Sequence, residues 1–157
     1  MSKKETVIQF GEGGFLRGFV DYFFQKLKEK ELFDGSVVIV QPIEKGMCEM
    51  LEKQDCEYNL FLRGIDNGQV VDEHTHIDVI SRCVNPYTDN AAYMALAENP
   101  DFRFIVSNTT EAGICFEADN KFEDAPAHSF PGKLTQLLYK RFQAGLNGFI
   151  ILSCELI

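Results

Sequence analysis

The chain has 157 residues, 45% hydrophobic and 25% charged, which suffices for one domain with a real core, is too short for two, and excludes a disordered chain. Its formal net charge of −9 excludes nucleic acid and anionic membrane as partners, because phosphate-rich surfaces are held by clustered Lys and Arg. An acidic chain can still hold a phosphorylated cofactor, with backbone N–H groups and a helix N-terminus doing the binding.

Val7, Ile8 and Phe10 form an apolar run that stops at Gly11, the pattern of a strand covered on both faces. After the glycines, Phe15, Leu16, Phe19, Val20, Phe23, Phe24 and Leu27 recur every three to four residues, with Arg17, Asp21, Gln25, Lys26 and Lys28 between them. That spacing predicts a helix with one buried stripe. "SVVIV" (36–40) is a second buried strand, so the first forty residues read β-α-β with a right-handed crossover.

"KGMCEMLEKQD" suits a short helix. Beyond it, "YNLFLRG" and "QVVDEHTHIDVISRCVNP" flank Asn67-Gly68, a hairpin signal, and read as an antiparallel insertion on an otherwise parallel sheet. Residues 89–99 read as helix, 102–108 as buried strand, 133–143 as helix and 148–154 as a last strand. The fold class is α/β: one doubly wound, Rossmann-like domain over 1–157, mostly parallel, with an antiparallel hairpin insertion.

Five cysteines without a C-x-x-C pair fit free thiols in a reducing, cytoplasmic compartment. "MSKKETVIQF" lacks the apolar core of a signal peptide, and no window approaches a membrane span. His74 and His76 share one strand face but are too few ligands for a metal, so none is expected. The chain stops at Ile157, directly after a strand end where catalytic residues belong, and reads as a domain of something larger.

The strand–loop–helix around Gly11, Glu12, Gly13 and Gly14 is the context a dinucleotide fingerprint requires. Gly11 permits the tight turn, and Gly13 lets the backbone approach a pyrophosphate. Leu16 stands at the third fingerprint position, and Gly18 is placed to take over its packing role. The competing reading is a plain strand-to-helix turn. In the cofactor reading, N–H groups of residues 12–16, including Phe15 and Leu16, hold the pyrophosphate.

Arg17 can pair with that pyrophosphate or with a substrate carboxylate, or stand solvated on the surface. Gln41 ends the second strand where many NAD-binding domains carry an acidic residue; it can still bond a ribose hydroxyl, with Glu44 close, and leaves NAD against NADP open. Asn108, Thr109 and Thr110 end a strand beside the switch point, suited to the nicotinamide or its ribose, or to turn chemistry. Glu111 can accept from a ribose hydroxyl or order its loop.

Four stretches, "FGEGGFLRGFVDYFF", "NPDFRFIVSNTTEAGI", "KFEDAPAHSFPGKLTQLLYKRF" and "CELI", resemble the mannitol dehydrogenase family of long-chain polyol dehydrogenases, in its uronate branch. The likeness spans nearly the whole chain. Gly11, Gly13, Phe15 and Arg17 match the family's G-x-G-x-F-x-R loop, which makes Leu16 a family trait; Thr110, Glu111 and Gly113 match its cofactor-facing T-E-x-G element. The resemblance implies NAD as cofactor and a zinc-independent, NAD-linked interconversion of D-tagaturonate and D-altronate in hexuronate breakdown. Mannitol or mannitol-1-phosphate oxidation, or a non-catalytic nucleotide-sensing module, are the alternatives. It also implies that the catalytic lysine, with an asparagine and a histidine, lies in a helical C-terminal domain outside this sequence. The chain by itself is then inactive, with NAD(H) as its partner, a sugar-acid substrate in the longer protein, and a homodimer contact on the face left open.

Overall fold

β1 (Glu5–Phe10) is the centre of the molecule, with Val7, Ile8 and Phe10 wholly buried. The computed structural model describes residues 3–155, without the side chains of residues 111 and 112. Beside β1 lie β2 (Ser36–Val40), buried at every position, and β6 (Phe104–Ser107), both parallel to it. β5 (Ile80–Val84) extends the sheet beyond β2, and β7 (Ile150–Ser153) beyond β6. The order β5-β2-β1-β6-β7 reverses direction between β1 and β6, which puts a crevice at their carboxyl ends.

The hairpin forms as expected from Asn67-Gly68: β3 (Tyr58–Asp66) and β4 (Gln69–Ile77) pair antiparallel, Asp66 opposite Gln69. It is a separate two-stranded sheet, and the five-stranded sheet is parallel throughout. The run expected as one strand from Gln69 onward breaks at Asp78. β4 alternates exposed and covered positions and stays outside, whereas Ile80, Cys83 and Val84 are buried and join the main sheet. His74 and His76 are exposed on β4 and both bond Asn59 Oδ1, at 2.8 and 3.3 Å.

Successive β1 side chains feed two cores. Val7 joins Leu16, Val20, Ile39 and Leu51 under α1 (Asp21–Glu29) and α2 (Cys48–Glu52). Ile8 and Phe10 join Tyr93, Leu96 and Leu137 under α3 (Asn90–Ala95) and α5 (Phe130–Gln143), with the one-turn α4 (Thr110–Gly113) between them in sequence. The alternation is the period of two of a strand covered on both faces. Among the described residues no helix is long and apolar enough to cross a membrane.

The first helix departs from expectation. Leu16–Val20 forms a π-turn, closed by Asp21 N–H donating to Leu16 O, before α1 proper. Only Leu16 and Val20 of the seven apolar positions are buried, with Phe24 packed against them; Phe15, Phe19, Phe23 and Leu27 stay exposed, their three rings in sequential contact. Seven apolar positions span a wider arc than the sheet can cover. The flank expected to be solvated is instead covered by the hairpin: Tyr58 Oη donates to Asp21 Oδ2 at 3.1 Å, and Gln25 Oε1 accepts from Asp78 N–H at 3.1 Å.

Asp21 is fully buried, and its Oδ1 and the nearby Gln9 Oε1 have no hydrogen-bond partner among the described residues. Burial pushes the Asp21 carboxyl up to about 7, against the lowering effect of Tyr58, Gln9 and Arg17. The folded chain therefore holds a proton that the unfolded chain releases near pH 4, and this contribution to stability is lost as pH rises from about 4 through 7. Asp21→Asn is expected to match wild type in urea denaturation at pH 4 and to exceed it at pH 8 by about 2 kcal/mol. A constant difference at both pH values contradicts this.

Candidate functional site

At the carboxyl ends of β1, β2 and β6 opens a cleft of about 550 Å³, within the range of small-molecule sites. Its walls are the glycine loop 11–13, the loop 42–47 after β2, Tyr87, the end of β6 at 108–109, Gly113 and Glu117 beyond it, and residues 128–130 before and into α5.

Gly11 turns the chain out of β1 with φ +117°, its N–H donating to Val40 O at 3.0 Å. A Cβ there would lie 2.9 Å from Leu16 Cδ1, itself buried. At Gly13 a Cβ would meet nothing within 4 Å and would stand at the cleft wall. Gly13 thus leaves backbone bare toward open space at the mouth of a helix, where N–H groups of the first turn have no intrahelical acceptor. Gly14, Phe15 and Leu16 lie behind this wall: Leu16 in the core, Phe15 turned outward.

Glu12 is buried with Oε1 accepting Met47 N–H at 2.9 Å, which ties the glycine loop to the loop after β2. Burial pushes its carboxyl up, partly offset by backbone N–H groups and Arg17. Arg17 Nε donates to Glu12 O at 2.8 Å, and its guanidinium lies 5.9 Å from the Tyr58 ring centroid. It braces the loop from outside the cleft wall and is neither a loose surface arginine nor a lining group.

Gln41 is buried, and its amide holds the loop after β2. Nε2 donates to Ile43 O and Glu44 O at 2.9 and 3.0 Å, and Oε1 accepts Cys48 N–H at 3.2 Å. These bonds engage both ends of the amide that was open to a ribose hydroxyl. Gly46, not anticipated, is needed at this junction. A Cβ there would collide with Glu12 Oε1 and come within 2.5 Å of Gln41 Cδ.

Asn108 and Thr109 line the cleft. Asn108 Nδ2 donates to Cys154 O at 2.6 Å, and Thr109 N–H donates to Glu155 Oε2 at 2.7 Å. Cys154 and Glu155, just past β7, thereby order the end of β6, a role that no local pattern reveals. Thr110 is exposed at φ +64° and outside the wall. The Glu111 side chain lies outside the described residues.

The opposite wall, Tyr87 and His128–Phe130, was not among the expected site residues. α5 starts at Phe130, three residues before the expected Lys133, with Ser129 Oγ capping Gly132 N–H at 3.1 Å and proline in the first turn. "SFPG" carries that signal, since Ser at the cap and Pro just inside a helix satisfy the unpaired first turn. His128 Nδ1 lies 2.6 Å from Glu117 Oε2.

The bare backbone at Gly13, the helix mouth and the size of the cleft together fit a diphosphate-linked ligand. The sequence matches the family described as the mannitol dehydrogenase Rossmann domain over residues 5–157. It is 57% identical to altronate oxidoreductase of Phocaeicola vulgatus, over 99% of this chain and 33% of that protein. To altronate oxidoreductase of Bacillus subtilis it is 45% identical, over 98% of this chain and 33% of that protein. The chain spans about a third of the length of these curated relatives. In fold it is similar to Pseudomonas fluorescens mannitol 2-dehydrogenase, solved as a ternary complex with NAD and D-mannitol, with a TM-score of 0.84 at 22% identity over 98% of this chain and 34% of that one. The family match over nearly all its residues, carried on a parallel sheet with its crevice at the glycine loop, shows that this chain belongs to the mannitol dehydrogenase family as a Rossmann domain.

Proposed function

We propose that the chain is the cofactor-binding domain of an NAD-dependent oxidoreductase that interconverts D-tagaturonate and D-altronate. The observation that carries the cofactor half of this reading is Gly13, whose backbone is bare toward the cleft at the mouth of the first helix. The substrate half is supported by the 57% and 45% identity to altronate oxidoreductases.

In this reading N–H groups of residues 12–16 hold the diphosphate, and the dipole of the helix beyond them offsets the acidity of the chain. Glu12 and Gln41 keep the loop after β2 in place as the wall beside the adenosine half. Asn108 and Thr109, ordered by Cys154 and Glu155, face the nicotinamide half; Thr110 and Glu111 begin the short helix that follows them. The nicotinamide supplies or accepts the hydride, and the chain's own part is to bind, orient and shield it. The group that protonates the developing alkoxide comes from the part of the longer protein that this chain does not span. Apolar residues exposed on β7 and on α1 give a second copy a face to meet.

Titration with NADH, followed by calorimetry and nicotinamide fluorescence, is expected to show saturable binding, while NADH with D-tagaturonate shows no turnover by this chain alone. No heat and no fluorescence change at millimolar NADH contradicts the cofactor reading. Turnover by the chain alone contradicts the division of labour.

A further inference from the structure

Lys133, in the first turns of α5, is wholly buried, yet its ammonium forms no ion pair among the described residues. It donates to Tyr87 Oη at 2.9 Å and to His128 O at 2.6 Å, and sits 4.8 Å from the Tyr87 ring centroid. Both partners line the cleft, so the ammonium stands one side chain behind its wall. A buried cation held only by neutral acceptors is unfavourable, because desolvation is not repaid by an opposite charge. Glu117, on the cleft wall and 2.6 Å from His128 Nδ1, favours the ammonium through space but makes no ion pair with it. The missing negative charge has an obvious place to arrive, which is the cleft itself.

We propose that Lys133 is the buried counter-charge for the cleft's anionic ligand, and that with the Tyr87 hydroxyl it fixes, it couples dinucleotide binding to uptake of a proton. This rests on the cofactor reading above. Lys133 acts through the wall and is a positioning residue.

The direction of the linkage follows from the surroundings. Burial lowers the Lys133 ammonium to about 8, with Glu117 acting the other way. Of the other titratable residues around it, Tyr87 presents its hydroxyl to the ammonium, His128 only its backbone carbonyl, and Tyr93 donates its hydroxyl to the Lys133 backbone carbonyl at 2.7 Å. Glu44 and Glu117 act on Tyr87, whose phenol burial pushes up. An anion bound at the wall favours the charged ammonium and raises its affinity for the proton. Well below pH 8 Lys133 is charged with or without ligand, and binding moves no proton. Above it, binding must first charge the amine, so protons are taken up and affinity falls.

The test is calorimetry of NADH binding in two buffers of different ionisation enthalpy, at pH 6.5, 8.5 and 9.5. Wild type is expected to take up close to no protons at pH 6.5 and about half a proton or more at 8.5, with affinity about tenfold weaker at 9.5 than at 6.5. Lys133→Met is expected to lose both the uptake and the pH dependence, and Lys133→Arg to keep tight binding to pH 9.5 without uptake. Should either variant fail to fold, the wild-type proton count and Tyr87→Phe, which keeps the amine but loses its hydroxyl partner, still decide. NADH binding with no proton uptake at pH 8.5, or uptake unchanged in Lys133→Met, overturns this inference alone. Absence of NADH binding at every pH overturns the cofactor reading and this inference with it.

Discussion

Gly13→Val is expected to melt within about 2 °C of wild type and to bind NADH at least about tenfold more weakly, a loss of about 1.4 kcal/mol or more. The two halves of this expectation come from the same observation. Gly13 is absent from the positive-φ glycines, so its backbone conformation suits an ordinary residue, and a Cβ placed on it meets no atom within 4 Å. The folded chain therefore has room for the valine. The room it occupies is the cleft, where a diphosphate must approach the loop backbone to reach its N–H groups. Thermal melting and calorimetry on one preparation check both halves. Unchanged affinity means the ligand does not pass over Gly13, and a collapsed melting temperature means Gly13 serves the fold.

Gly11→Ala is expected to do the reverse, lowering stability by about 3 kcal/mol and the melting temperature by roughly 6–12 °C. Gly11 sits at φ +117°, where an L side chain is strained, and its Cβ would press on Leu16 Cδ1 at 2.9 Å. Leu16 is buried against Val7, Val20 and Ile39 and cannot move aside freely. The Gly11 N–H bond to Val40 O, which closes β1 onto β2, is lost if the turn relaxes. A melting temperature within 2 °C of wild type contradicts this account of the turn. Two glycines two residues apart thus have separable roles, one setting the path of the chain and the other leaving space beside it.

The β-α-β start, the hairpin turn and the strands at β6 and β7 were legible because each is a local pattern. Apolar runs, period-2 alternation and Asn67-Gly68 all act within a few residues. What was not legible depends on contacts far apart in the chain. Periodicity shows that Phe15, Phe19 and Phe23 are apolar, but not that the sheet reaches only Leu16, Val20 and Phe24, or that Tyr58 and Asp78 cover Asp21 and Gln25. The boundary between β4 and β5 was missed because both halves are rich in β-formers, and only their sheet membership separates them.

The glycine loop and the 108–109 end of β6 were found at the cleft because a fingerprint and a strand end mark them. Gln41 is legible as a strand-end residue, but the hold of its amide on the loop after β2 is not, since side-chain direction after a strand is set by the loop it meets. His128 and Lys133 fall in a stretch that carries the family resemblance, but no local pattern places them; the topology brings His128 and Tyr87 to one wall with Lys133 behind it. The same holds for Glu155, which reaches the site from the last residues described.

The most direct measurement is NADH titration of ¹⁵N-labelled protein, following each backbone amide. Saturable shifts at residues 11–16, at Tyr87 and at Asn108 and Thr109 are the result this account requires. Shifts that saturate on the β3–β4 hairpin or the outer face of α5, with the glycine-loop amides unmoved, contradict it.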